Sequence, residues 1–478
     1  MSNQNLTLHT DKYQINMIYA HWKVNRHNNV RVFDAYFRKN PFKNGYAVFA
    51  GLERIVNYIN TLNFTQEDIE YLRSQPENYD EEFYDELRKF KFTGNISAVH
   101  EGTIVFPNEP IIRVEARIFE AQLIETAILN FMNYQTLIAT KAARIKSVAP
   151  DDVFFEFGTR RAQEADAAIW GARAAYIAGF DGTSNMESGK RFGIPSVGTH
   201  AHSWIMDFDT ELEAFRSYAE VFPTSTVLLV DTYDTLKLGV PNAIKIGKEL
   251  EEKGYKLKGI RLDSGDLAYL SKKARKMLDE AGLDYVSIVA SNDLDESVIL
   301  ELKVQGAKID SWGVGTQLIT AADNPSLGGV YKMVARQEGD VYQPVIKISG
   351  NPEKITTPGM KTIYRIIDQH SKKAVGDYLS FLDENVKQAP KIKLFDPVHT
   401  YIQKEVTEFQ AVELLNPIFQ NGQQVYSLPE LSEIRSYHKE QIKMFWEEYL
   451  RKLNPENYPV VLSEDVWNSK MELMKINK

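Results

Sequence analysis

The sequence predicts an α/β fold whose central segment is an irregular, incomplete TIM-like barrel, with an N-terminal α/β domain before it and a β-rich plus helical region after it. Two observations predict the barrel. From residue 152 to about 335, short apolar runs alternate with amphipathic helical patterns, the signature of parallel strands with helices outside. Polar clusters also follow one strand after another, at residues 158–161, 231–234, 263–266, 291–293 and 315–317. In a barrel such strand ends converge on one rim, whereas an open doubly wound sheet gathers them only at a switch point. This stretch is roughly 185 residues, short of the roughly 250 typical of eight full units. The barrel is therefore expected to be incomplete.

The elements follow in chain order. Residues 8–22 read as a helix and 30–37 as a strand. Thr65 followed three residues later by Asp68 resembles a capping box. Residues 96–114 alternate β-rich pieces with turns at Gly102 and Pro107-Asn108, and a helical segment runs from about 117 to 147. A strand at 153–157 precedes a helix over 161–178, stopped by Gly179. A strand at 226–230 precedes a helix ending before Gly254. After the strand at 257–262, Leu267, Leu270, Ala274, Met277, Leu278 and Ala281 share one helical face, which Gly282 closes. Strands follow at 286–290 and 311–314, and β-rich pieces return at 362–367 and 374–381. A last helix spans 431–453, its apolar face made by Leu431, Ile434, His438, Ile442, Phe445 and Tyr449. The expected division is residues 1–120, 121–335 and 336–478, the last packing back on the N-terminal domain.

Composition bounds the function. A chain of 478 residues makes two or three domains at about 100–200 residues each. There is no cysteine, which excludes disulfides, thiolate zinc sites and cysteine nucleophiles and suits a reducing cytoplasm. No run of about 18 apolar residues predicts a membrane span, and the polar first residues do not read as a signal peptide. A net charge of −9 disfavours non-specific nucleic-acid binding.

The chemistry-bearing residues cluster in the central segment. Gly313, Gly315 and Thr316 follow a strand, where unhindered backbone N–H groups and a hydroxyl suit an anion, although a tight turn would also need these glycines. Asp231, Asp234, Asp263, Asp266, Asp293 and Asp295 lie at strand ends. Crowded acids repel one another unless a cation or ligand hydroxyls intervene, and magnesium carrying a pyrophosphate would satisfy them. Helix capping is the alternative for each one. His200 and His202 sit in Gly198-Thr-His-Ala-His-Ser-Trp204, among small residues that pack a core poorly. A histidine there can be a base, a nucleophile or a structural hydrogen-bonding group. No HExxH-like set supports zinc. Tyr13 and Phe157 could stack on a flat heteroaromatic ring or fill the core. Arg160, Arg161 and Arg261 could fork onto a carboxylate or phosphate, or form surface ion pairs. Spacing alone thus reaches a phosphate-handling α/β enzyme with magnesium.

The motifs taken together go further. Asp11-Lys-Tyr13, Glu120-Ala-Gln-Leu-Ile-Glu125, Phe157-Gly-Thr-Arg-Arg161, Gly182-Thr-Ser-Asn185, Ala201-His202-Ser-Trp204, Arg261-Leu-Asp-Ser-Gly-Asp266 and Gly313-Val-Gly-Thr316 resemble, in order, those of the nicotinate phosphoribosyltransferases. The resemblance covers residues 6 to 335. It implies a cytoplasmic homodimer with interfacial active sites, joining nicotinate to phosphoribosyl pyrophosphate with magnesium and with ATP hydrolysis coupled through a phosphohistidine. It implies that His202 is that histidine, that Tyr13 (from the partner subunit), Phe157, Thr199 and Arg261 contact nicotinate, and that Arg160 and Ser184 also bind substrate. Asp231 and Asp263 fall on the sugar–pyrophosphate and magnesium side, with Asp263 catalytic, and Asn292, Gly313, Gly315 and Thr316 in the phosphate cradle. Nicotinamide-using relatives carry an aspartate where this chain has Ser184, so nicotinate is the expected substrate. Quinolinate-using relatives want more basic residues. A non-catalytic metabolite binder on the same scaffold is the reading from another class.

Overall fold

The computed structural model describes residues 5–397 and 399–476 and divides into two compact units, Ile138–Pro325 and Met1–Leu137 with Ser326–Lys478. The first unit is built on six strands: β1 (Val153–Glu156), β2 (Gly182–Thr183), β3 (Val227–Leu229), β4 (Gly259–Leu262), β5 (Ser287–Ser291) and β6 (Ser311–Val314). Every ladder among them is parallel, in the order β2-β1-β6-β5-β4-β3. Their short apolar runs are buried, as parallel strands between layers require. The helices between them are α1 (Ala165–Ile177), α2 (Met186–Phe192), α3 (His202–Met206), α4 (Glu211–Val221), α5 (Val240–Glu252), α6 (Leu267–Glu280), α7 (Glu296–Val304) and α8 (Thr316–Ile319). On α6 the buried stripe is Leu267, Ala268, Ser271, Ala274 and Leu278; of the face the sequence marked, Leu267, Ala274 and Leu278 are buried and Leu270, Met277 and Ala281 half-buried.

The mixed α/β class is as expected, but hydrogen bonding among the described residues does not close a TIM-like barrel. The strand order is cyclic, 3-4-5-6-1-2, and the ladder stops at β2 on one side and β3 on the other. Residues 195–202 lie between those edges. Thr183 donates its N–H to the Pro195 carbonyl and accepts from the Val197 N–H. At the far end, the Leu229 N–H donates to His200 Nε2 at 3.3 Å. This run of glycine, proline and polar residues forms no strand of its own; it meets β2 through one parallel bridge, Thr183 with Ser196, and β3 through the single His200 bond.

The second unit holds a seven-stranded antiparallel sheet in the residue order 341–344, 330–338, 30–36, 112–117, 95–98, 416–420, 423–424. C-terminal residues 416–420 thus pair directly with residues 95–98. A four-stranded sheet is made by residues 409–413, 361–368, 374–381 and 460–462. Its core contains a fully buried ion pair, in which Arg365 Nε and Nη2 grip the two carboxylate oxygens of Asp377 at 3.0 and 2.7 Å. Gln441 Oε1, the Ile104 carbonyl and the Tyr458 hydroxyl complete the network. The Thr65–Asp68 capping box is present. Four helices differ from the sequence reading, among them the one expected over 161–178, which begins at Ala165 after a separate turn at Thr159–Arg161. The first begins at Lys12, not residue 8; the long one is split into Ile118–Leu123 and Glu125–Ser147; the last breaks into Leu431–Lys443 and Glu447–Leu450. Among the described residues no helix is long and apolar enough to cross a membrane.

Candidate active site

The ends of β3, β4 and β5 bring four separate chain segments into one hydrogen-bonded cluster. Arg261, on β4, is its hub. Its Nε donates to Ser291 Oγ at 2.9 Å, its Nη1 to Thr199 Oγ1 at 3.2 Å and its Nη2 to Asp263 Oδ1 at 2.8 Å. The Ser291 hydroxyl also donates to Asp263 Oδ1. Behind Asp263 lies Asp231, whose Oδ2 accepts the Asp263 N–H at 2.8 Å and the Ser264 hydroxyl at 2.7 Å. Asp231 is buried and its other oxygen, Oδ1, has no hydrogen-bond partner. An unsatisfied buried carboxylate oxygen is costly, and a divalent cation would relieve it.

His202 opens α3 beside this cluster. Its Nδ1 lies 3.0 Å from Thr232 Oγ1, next to Asp231, and its Nε2 faces Asp263 Oδ2 at 3.8 Å. The side chain is 40% exposed, open enough for a reagent to reach. The neighbouring His200 has the opposite character. It is buried against Phe215 and Tyr218, and burial pushes its pKa down to about 4. A neutral ring is what its Nε2 needs to accept the Leu229 N–H. Of the two histidines in the motif, one is therefore structural and the other available for chemistry.

Phe157, just past β1, lies with its ring 5.7 Å from the Arg261 guanidinium. The ring rests on Gly313, where an added Cβ would come within 2.4 Å of Phe157 Cδ2. That contact accounts for glycine at 313 without any anion. Gly315 also backs onto Phe157, 3.2 Å from its carbonyl oxygen to the position of an added Cβ, and precedes Thr316 at the start of α8. Ser184 is exposed at the end of β2. Arg160 and Asn292 are exposed at the ends of β1 and β5 and make no side-chain bond to the cluster. Asn292 and Asp293 both have positive φ, 93° and 38°, so this strand end is held in a sparsely populated conformation. Tyr13 belongs to the other unit. It is 50% exposed, and its hydroxyl accepts from Gln14 Nε2 at 2.9 Å.

The sequence reading did not single out Ser291, Thr232, Ser264 or Glu156 as site residues. The first three adjoin candidate acids or end a strand, and that adjacency was the available signal. Glu156 sits inside an apolar strand run and gave none. Among the described residues no group of three or more His, Asp or Glu is arranged as a ready metal cage. Asp231 and Asp263 fit an ion that takes most of its ligands from water and substrate, as magnesium does.

Comparison with known proteins gives the lineage. Residues 8–133 match the model of the nicotinate phosphoribosyltransferase N-terminal domain, 153–387 that of the nicotinate phosphoribosyltransferase family, and 360–470 that of its C-terminal domain. The nicotinate phosphoribosyltransferase of Bacillus subtilis is 54% identical, over 98% of this chain and 95% of its own. This chain belongs to the nicotinate phosphoribosyltransferase family. That of Dictyostelium discoideum is 39% identical, over 96% of this chain and 87% of its own. The crystal structure of human nicotinic acid phosphoribosyltransferase superposes with a TM-score of 0.87 at 29% identity, covering 97% of this chain and 99% of that one. That of nicotinate-nucleotide pyrophosphorylase from Pyrococcus furiosus reaches 0.71 at 25% identity, covering 93% of this chain and 98% of that one. Within this phosphoribosyltransferase family membership, the bonded cluster around Arg261 is the feature that calls for a chemical role.

Proposed function

We propose that this chain transfers the 5-phosphoribosyl group from phosphoribosyl pyrophosphate to nicotinate, forming nicotinate mononucleotide for NAD salvage, with ATP hydrolysis coupled through a phosphorylated His202. The observation that carries the reading is the cluster of Arg261, Asp263 and Asp231 with His202 at its edge. In the transfer, the pyridine nitrogen forms a bond to the anomeric carbon as the carbon–oxygen bond to pyrophosphate breaks, and pyrophosphate leaves with the electron pair. The sugar becomes cation-like on the way, and Asp263 and Asp231 lie where negative charge would stabilise it. Magnesium held by Asp231 and Asp263 would shield the pyrophosphate as it departs.

Phe157 offers a flat face to the pyridine ring, and Arg261 beside it offers positive charge to the ring's carboxylate. Arg160 adds donors near the same strand ends, and the Thr199 hydroxyl, which donates to the His200 carbonyl, accepts from Arg261 and steadies it beside the ring. Ser184 brings no negative charge to the β2 end, which suits a substrate acid better than its amide. Asn292, Gly315 and Thr316 lie past β5 and on the β6–α8 turn, where the phosphate cradle is placed by this reading, while Gly313, inside β6, makes room for the Phe157 ring. Thr232 and Asp263 hold the two sides of the His202 ring. In this reading ATP gives its terminal phosphoryl group to that ring, releasing ADP, and the new anion would stand beside Asp231 and Asp263, the acids that would hold magnesium.

In this reading the enzyme is a cytoplasmic homodimer in which Tyr13 of the partner subunit completes the nicotinate slot. The half-exposed Tyr13 ring on its own unit supports that role. The cyclic strand order, with residues 195–202 spanning the open edge, supports an incomplete barrel. The test is turnover with nicotinate, nicotinamide or quinolinate, each with phosphoribosyl pyrophosphate, magnesium and ATP. Pyrophosphate and ADP release with nicotinate is the expected result. Thermal stabilisation by these ligands without turnover would favour a binding protein instead.

A further inference from the structure

Glu156 is the last residue of β1 and has no solvent exposure. Its carboxylate meets two neutral donors from different strand ends. The Gly158 N–H donates to Oε1, and the Thr183 hydroxyl donates to Oε2 at 2.6 Å. Thr183 Oγ1 accepts in turn from the Asn185 N–H at 3.0 Å, and the Ser184 N–H donates to the Glu156 carbonyl at 2.9 Å. Asn185 then caps α2 through the Ser188 N–H at 2.9 Å.

The pattern singles out two residues. Phe157 lies between Glu156 and Gly158, both ends of this short bridge. Ser184 lies between Thr183 and Asn185, both tied to it through the Thr183 hydroxyl. Gly158 has no room for a side chain, because an added Cβ would stand 2.7 Å from Ile319 and 2.9 Å from Glu156 Oε1. The backbone is thereby pressed onto the carboxylate. No positive group accompanies Glu156, and burial pushes its pKa up. Burying a carboxyl group for packing alone would be unfavourable, so its two directed bonds explain its presence.

We infer that Glu156 is a positioning residue that fixes the separation of Phe157 and Ser184, and so sets the width of the slot that admits a pyridine monocarboxylate. The inference rests on the nicotinate reading given above and deepens it. Glu156 touches no reacting atom. Its effect is on recognition of the pyridine acid, while Asp263 and Asp231 hold the sugar–pyrophosphate side independently.

The experiment compares wild type with Glu156→Ala, Glu156→Gln and Thr183→Val in steady-state kinetics, varying nicotinate and phosphoribosyl pyrophosphate separately, with thermal unfolding alongside. Displacing the slot walls by a fraction of an ångström to 1 Å should raise the KM for nicotinate in Glu156→Ala on the order of tenfold to a hundredfold. The KM for phosphoribosyl pyrophosphate should stay near the wild-type value. Glu156→Gln should recover most of the loss, since its carbonyl oxygen still accepts the Gly158 N–H. Thr183→Val removes a single hydroxyl, and carries the test if Glu156→Ala does not fold. It should raise the nicotinate KM and narrow the preference for nicotinate over nicotinamide. An unchanged nicotinate KM in Thr183→Val, both KM values moving together with a loss of thermal stability, or no recovery in Glu156→Gln would each overturn the inference. Wild-type protein that fails to turn over nicotinate would overturn the substrate reading itself, a result distinct from these.

Discussion

Gly313→Ala tests what that glycine is for. An alanine Cβ at 313 would stand 2.4 Å from Cδ2 and 2.7 Å from Cε2 of Phe157. Ordinary van der Waals contact begins at 3.4 Å, so ring or strand must give by 3.4 − 2.4, about 1 Å. Overpacking of this kind typically costs about 1–3 kcal/mol of stability, and displacing a substrate-positioning group by 1 Å can cost up to about a hundredfold in rate. The expected outcome is a nicotinate KM raised tenfold or more by the order of that effect, a modest fall in melting temperature, and a nearly unchanged KM for phosphoribosyl pyrophosphate. Steady-state kinetics with each substrate varied, and a thermal melt, measure all three. If the KM for phosphoribosyl pyrophosphate rises while that for nicotinate does not, the glycine serves a phosphate and the argument from Phe157 fails.

Other perturbations report on other parts of the molecule. His202→Ala should abolish ATP-dependent stimulation while leaving slow transfer, measured as pyrophosphate release with and without ATP. Asp231→Asn should raise the magnesium concentration needed for half-maximal rate, read from a metal titration. Arg365→Met leaves Asp377 buried without its cation and should cost about 3–5 kcal/mol in denaturant unfolding. Acid should also destabilise the fold through His200 and His438. Burial holds both near 4, below the usual 6.5, so the folded protein binds fewer protons than the unfolded chain between those values. Their contribution is complete above pH 6.5 and is lost as pH falls toward 4. Stability against pH should flatten across that window in His438→Gln, if that variant folds.

Much of the scaffold was legible. The strands at 153, 227, 259, 287 and 311 announced themselves by apolar runs ending in polar clusters, because a parallel sheet buries its strands and exposes their ends. The histidine motif and the Arg261–Asp263 run were legible because small and charged residues replace core residues there. What the sequence hid is held by non-local bonds. The helix expected to run to residue 453 stops at Lys443 because Lys373 donates to the Lys443 and Phe445 carbonyls at 2.8 and 3.0 Å and the Ala374 N–H takes the Met444 carbonyl. No glycine or proline marks that stop. The open edge between β2 and β3 was equally invisible, since no local pattern says which strand lacks a neighbour. In the sequence Gly313 suits an anion site or a tight turn equally, because Phe157, whose ring it faces, is far away in the chain.

The stretch from 195 to 202 holds the His202 ring by separate contacts. In a continuous ladder, moving one residue shears the whole row. Here Arg261 fastens Thr199, the Leu229 amide fastens His200 and Thr232 fastens His202, each by its own stitch. The imidazole can therefore be retuned one contact at a time, with the surrounding strands left in register.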